Sequence, residues 1–227
     1  AAPGGGGGVL FRTSVGATAN TSTPALALTG MQTGDVVYLI HDCTATVTVG
    51  DPVGASTGWT PLATLVSNNA GVKVWRKRLV SGDVGASVTP TMSAVSRWGM
   101  LAVAYSGAHA TTPEDVALVT FTENTVVASH TTPAITPATA GATILEVAAD
   151  RGTATASVGQ WVTPAGLTPR GSVIPGGNPG ASIAAADYPN APAAVARGPY
   201  TWGTKDAAGA DLPLGNYVGV AIAIRPA

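Results

Sequence analysis

Residue types that carry most enzymatic chemistry are scarce in this chain. Its histidines are His41, His109 and His130, its one thiol is Cys43, and 12 acidic residues are scattered over 227 positions. The histidines lack the close helical spacing of a metal site, and no glycine-rich elbow joins a strand to a helix to present a nucleophilic serine. A triad needs an imidazole in register with a carboxylate and a nucleophile, and no spacing here unites them. Cys43 closes the apolar run Tyr38-Leu39-Ile40-His41-Asp42-Cys43, the setting of a buried structural thiol. As the sole cysteine it excludes an internal disulfide and a multi-cysteine metal cluster. A glycan hydrolase needs two facing acids, and Asp150 and Asp187 would face each other if the second part of the chain folded back as a hairpin. Several other acids sit in Gly-Asp or Asp-Pro turns, where a carboxylate bonds its own backbone. The chain therefore reads as a non-enzyme, with no catalytic residues, no metal and no cofactor.

One basic cluster, Lys73, Arg76, Lys77 and Arg78, surrounds Trp75. Strand alternation puts Lys73, Trp75 and Lys77 on one face and Val72, Val74, Arg76 and Arg78 on the other. Neither face is wholly apolar, which predicts a bulge midway. On a chain of net charge -1, the cluster reads as an edge strand guarded against aggregation, not as a nucleic-acid groove. Trp161, Tyr188, Tyr200 and Trp202 lie in the Gly- and Pro-rich stretch from Gly159 to Pro213, outside the expected core strands. These four rings are the candidate contacts for a ligand or partner, as sugar-stacking platforms or interface anchors; otherwise they roof the open end of the fold.

The elements that hold these residues are strands. Charged residues make up 10% of the chain and hydrophobic ones 45%, too few charges for a disordered chain. No apolar run approaches the roughly 18 residues of a membrane span. Short apolar runs end in Gly, Pro, Asn, Asp, Ser or Thr, and no segment keeps a helical period. Expected strands are Val9 to Val15, Ala25 to Leu28, Asp35 to Cys43, Thr60 to Ser67, Val72 to Val80, Gly99 to Tyr105 and Val116 to Phe121. Thr125 to Ser129, Thr143 to Ala149, Leu167 to Ile174, Ala181 to Ala186 and Tyr217 to Ile224 complete the set. About twelve strands exceed an immunoglobulin sandwich and suit a jelly-roll-like, two-sheet β-sandwich.

The chain also repeats itself. Gly34-Asp35-Val36-Val37-Tyr38-Leu39-Ile40 resembles Gly141-Ala142-Thr143-Ile144-Leu145-Glu146-Val147, and Gly58-Trp59-Thr60-Pro61 parallels Gly166-Leu167-Thr168-Pro169. Gly71-Val72-Lys73-Val74 and Trp98 to Tyr105 find counterparts in Gly180-Ala181-Ser182-Ile183 and Asn216 to Ala223. A spacing of about 110 residues is too long for a solenoid repeat. The expectation is one all-β domain over residues 9–227, with halves of about 9–110 and 111–227 facing each other as sheets of one sandwich. The run Gly4 to Gly8 makes residues 1–8 a flexible arm, a candidate to order on assembly.

In order along the chain, Val9-Leu10-Phe11-Arg12, Gly34-Asp35-Val36-Val37, Gly58-Trp59, Val74-Trp75-Arg76-Lys77, Trp98 to Gly107, Thr131-Thr132-Pro133 and Ile222-Ala223-Ile224-Arg225-Pro226 form a recognisable set. The set resembles a β-sandwich domain of tail, fibre and other minor virion proteins of bacteriophages, especially those infecting actinobacteria. Where such domains often carry Tyr-Arg-Gly, this chain has Tyr105-Ser106-Gly107. The resemblance implies a non-enzymatic structural protein located in the virion and assembled in the bacterial cytoplasm. It would be a tail or fibre adsorption component or a capsid decoration protein. The implied partners are other virion proteins, further copies of itself in a homotrimer, and a host-surface glycan, with no nucleic acid and no membrane insertion. The rival reading from the loop aromatics is a carbohydrate-binding module; a glycan hydrolase stands behind it.

Overall fold

The computed structural model describes residues 8–54, 56–151, 160–174, 180–206, 208–213 and 215–227, so the arm's residues 1–7 lie outside the described residues. The first half holds β1 (Leu10–Thr21), β2 (Leu26–Ala27), β3 (Val36–Thr44), β4 (Val49–Val53), β5 (Thr60–Ser67), β6 (Ala70–Arg78), β7 (Ser87–Met92) and β8 (Ser96–Ser106). The second holds β9 (Val119–Glu123), β10 (Ser129–Thr132), β11 (Ala142–Arg151), β12 (Gln160–Val162), β13 (Thr168–Val173), β14 (Ala181–Ala191), β15 (Tyr200–Lys205), β16 (Asp211–Leu212) and β17 (Tyr217–Ile224). The fold is all-β, and among the described residues all pairings between strands are antiparallel.

Two five-stranded sheets, β1-β8-β3-β6-β5 and β13-β14-β11-β17-β9, face each other. Period-2 alternation sends Val36, Tyr38 and Ile40 of β3 and Val103 and Tyr105 of β8 into this interface, against Leu145 and Val147 of β11 and Val218, Val220 and Ile222 of β17. The opposite faces are not left to solvent. Val37, Leu39, Trp75 and Met100 pack under the small sheet β2-β7-β4, whose Leu26 and Val88 meet them. Ala148, Ala184, Ala186 and Tyr217 pack under β10-β15-β12, against Trp202. The expected two-sheet sandwich is therefore the middle of a four-layer stack. Burial on both faces explains why β3, β11 and β17 are almost continuously apolar.

The two halves carry one strand order. Replacing β1, β8, β3, β6 and β5 by β9, β17, β11, β14 and β13 reproduces the second large sheet, and β2-β7-β4 maps onto β10-β15-β12. Local devices repeat as well. Gly34 and Gly141 enter β3 and β11 at φ 90° and 83°, a left-handed backbone that disfavours other residues. Pro61 and Pro169 each lack a ladder N–H, and the register shifts immediately after both, before Ala63 and before Gly171.

The described residues form seventeen strands, not about twelve. The additional ones, β4, β7, β12, β15 and β16, belong to the outer sheets, and β10 begins at Ser129 where an expected strand ended. Outer strands contact apolar surface on one side only, and Pro52 and Pro90 make two of them look like turns. The bulge expected in β6 is absent; β6 pairs with β3 without a shift, and the irregularity lies on β5. Nor is β6 an edge, because β3 and β5 flank it. The Ala-rich run Ser182 to Ala186 is strand, because propensity yields to sheet packing.

At one point the two large sheets touch through backbone. A Cβ on Gly99 of β8 would stand 2.6 Å from the carbonyl oxygen of Ala181 on β14. We expect Gly99→Ala to lower the urea-unfolding free energy by about 1–3 kcal/mol, since backbone must move to admit the methyl group. Gly82→Ala, where nothing lies within 4 Å, should leave it nearly unchanged.

Candidate functional site

His41 and Cys43 are two residues apart on β3, so they share a face, with Asp42 pointing to the other. All three are buried. Burial, reinforced by the Lys73 charge, lowers the His41 pKa to about 3, while burial and the neighbouring Asp42 raise the Cys43 thiol to about 12. Asp42 is held well above the ordinary carboxylate range by burial. An imidazole of that low basicity is too weak a base to ionise a thiol raised that far. His41 instead stacks on Trp98 with ring centroids 6.2 Å apart.

The proposed acid pair is not a pair. Asp150 pairs in register with Ser182 and Asp187 with Leu145, five residues along the same ladder, or about 16 Å. They also face opposite sides of their sheet. Asp150 accepts hydrogen bonds from the backbone N–H groups of Gly215 and Asn216 at 3.2 and 3.0 Å. Asp187 turns inward, accepting from the Tyr105 hydroxyl at 3.0 Å and pairing with Arg170 at 2.7 Å. The Arg170 guanidinium also lies 4.5 Å from the centre of the Phe11 ring. A second staple of this kind joins Tyr38, which donates to Glu114 at 3.1 Å, with Arg76, which meets Glu114 at 2.5 Å. Each staple links the first half to a residue of the second, so these carboxylates hold the sheets together.

The four candidate aromatics lie on strands, not loops: Trp161 on β12, Tyr188 on β14, Tyr200 and Trp202 on β15. Trp202 is fully buried, with Trp161 set edge-on to it at 5.9 Å and 88°. Tyr188 carries the Arg197 guanidinium 4.2 Å from its ring centre. Tyr200 is half-buried and shares the inward face of β15 with Trp202. Trp161, Tyr188 and Tyr200 keep partial exposure, whereas Trp202 has no open face for a sugar. Beneath this outer sheet, Glu146 of β11 is completely buried, and burial pushes its pKa up to about 8. Tyr217 beside it stacks on His130 at 4.7 Å and 12°. This buried polar centre was not legible in the sequence, where Glu146 is one more residue of an apolar run.

The basic strand is already neutralised by its surroundings. Lys73 bonds the Val49 carbonyl and Asp51, Lys77 meets Asp83 at 2.5 Å, and Arg78 donates to the carbonyls of Gly34, Ala108, His109 and Ala110. Arg78 thereby anchors the connection between the halves. One Gly-x-Ser-x-Gly spacing, Gly54 to Gly58, is missed by the sequence reading; its Ser56 lies between strands β4 and β5. Its Ser56 is buried, donates to Asp83 at 3.0 Å and accepts from Trp59 at 3.2 Å. Lys77 Nζ lies 3.4 Å from that hydroxyl and pairs with Asp83. An open hollow of about 620 Å³ beside β7 is lined by Ser22, Thr23, Pro24, Ala25, Val53, Thr89, Pro90, Thr91 and Met92, none ionisable. Among the described residues no group of three or more His, Cys, Asp or Glu could hold a metal ion, and no helix is long and apolar enough to cross a membrane.

No protein-family model, no curated protein and no solved structure matches this chain.

Two outcomes follow from the buried carboxylates. Glu146 keeps its proton in the folded state up to about pH 8 but loses it near 4.5 when unfolded. The stability it supports is full below pH 4.5 and drains away as pH rises to 8, by on the order of a few kcal/mol. Thermal melts should fall over that window in the native chain and fall less in Glu146→Gln; Asp42 and Asp150, also raised, sustain the residual slope. Separately, Asp187→Ala should cost roughly 2 kcal/mol, because it strands Arg170, which keeps partial solvent contact. A double-mutant cycle with Tyr105→Phe should show coupling between the two side chains.

Proposed function

We propose that this protein is a non-enzymatic structural component of a bacteriophage particle, displayed on the virion surface and acting through protein–protein contacts. The observation that carries this reading is the fate of the ionisable groups. Asp187 and Glu114 are engaged in staples and Asp42 and Glu146 are buried, while the open hollow beside β7 has no ionisable lining. Such a chain is suited to bearing load and excluding solvent, not to turnover. The strand order adds support: β1-β8-β3-β6 of the first half lie opposite β2-β7-β4, and β9-β17-β11-β14 of the second lie opposite β10-β15-β12. We read this as a jelly-roll-like order in which the fifth strand of each half has joined the larger sheet. The ordered motifs resembling virion β-sandwich domains supply the cellular setting, either a tail-tip or fibre subunit that touches the host envelope or a capsid decoration protein.

The test is cryo-electron microscopy and peptide mass spectrometry of purified particles from the phage that encodes the chain. We expect its peptides in the particle and its four-layer density on the outer surface. Copies arrayed over the capsid lattice make it a decoration protein; copies at the tail make it an adsorption component. Its absence from purified particles would overturn the reading.

A further inference from the structure

The four-layer stack leaves four edges on its two large sheets: β1 and β5 on one, β13 and β9 on the other. Exposed edges are templates for pairing unless something interrupts them. Three of the four are interrupted. β5 has Pro61 and a register shift beside it, β13 has Pro169, Arg170 and its own shift, and β9 is five residues long and ends at Glu123. β1 is different. It runs for 12 residues, its one register shift lies at its start between Phe11 and Thr13, and from Thr13 to Thr21 it contains no proline and no charge. Gly16 within it answers an inward demand, since a Cβ there would stand 3.0 Å from Val173 of β13. On the face that carries Gly16, Thr18 and Asn20 are exposed like Gly16 itself, and on the other face Val15, Ala17 and Ala19 are only partly covered by the short strand β2 while Thr21 is exposed.

We propose that β1 is an assembly edge that pairs antiparallel with β1 of a second copy of this chain, joining two five-stranded sheets into one of ten. A second copy is the occupant because the segment is complementary to itself. Centred on Ala17, the midpoint of the uncharged run, the pairing sets Val15 opposite Ala19, Gly16 opposite Thr18, Ser14 opposite Asn20 and Thr13 opposite Thr21. Small apolar groups meet on the face that β2 covers incompletely, and hydroxyl and amide groups meet on the other. The nearest charge, Arg12, falls opposite Ser22 and is held by Asp35 at 2.7 Å, so no like charges are brought together. Nine paired residues give a ladder of about 30 Å, which satisfies the free backbone groups of both edges at once. The resulting symmetry is two-fold and isologous. This inference rests on the edge itself and holds wherever in a particle, or outside one, the protein acts.

The test uses the whole chain in analytical ultracentrifugation, with hydrogen exchange read by mass spectrometry. We expect a concentration-dependent dimer whose 13–21 amides are protected when concentrated and exchange faster on dilution. Thr18→Lys, which places two ammonium groups diagonally across the new ladder, should weaken association by about tenfold or more. Val66→Lys on the exposed side of β5 should leave association unchanged. A monomer at high concentration overturns the proposal, as does a trimer, the state implied by the resemblance, whose 13–21 amides exchange at one rate at every concentration. A dimer indifferent to Thr18→Lys, with that variant shown to be folded by circular dichroism, overturns it equally.

Discussion

The rest of the molecule depends on two five-stranded sheets pressed together over a largely apolar seam. Val36, Ile40 and Val103 on one side and Leu145, Val147 and Val220 on the other remove from water the surface that no single half would hide alone. Because each sheet also carries a smaller sheet on its far face, the central strands see apolar surroundings twice over. Every side chain of β17 after Tyr217 is accordingly small or β-branched, and backbone approaches backbone where Gly99 meets Ala181.

That double burial governs the chemistry. A carboxylate placed in such a layer has two options: it finds a cation and a hydroxyl, or it gives up its charge. Asp187 and Glu114 take the first course, with Arg170 and Tyr105, and with Arg76 and Tyr38. Asp42 and Glu146 take the second. Both outcomes tie the state of these acids to the architecture and not only to composition.

The duplicated strand order sets two equivalent frames around different interiors. An aromatic ring opens the last strand of each large sheet's pair in both halves, Trp98 in β8 and Tyr217 near the end of the chain in β17. Each ring stacks on an imidazole, but the imidazole comes from the large sheet in one half, His41, and from the outer sheet in the other, His130. Equivalent backbone devices, such as the prolines and register shifts of β5 and β13, are therefore separable from the side chains that fill the layers.

The amino-acid sequence by itself determined the strand class, the positions of the long central strands and the kinship of the halves. Those features follow from local rules, since alternation, turn glycines and ladder-breaking prolines act within a few residues of one another. β5 and β17 even begin and end where the pattern says they should. The outer strands were hidden, because a short strand covered on one face tolerates Pro52, Pro90 and Gly203 and looks like a loop. Only the tertiary structure decided that Trp202 is core, that Asp150 and Asp187 face apart, that the cations of β6 are spent on Asp51, Asp83, Glu114 and backbone carbonyls, and that β1 stands as an uninterrupted edge. Each of these is a fact about neighbours brought together from distant parts of the chain. A residue's partners across a layer, and hence its charge and its exposure, are set by packing and not by the residues beside it in sequence.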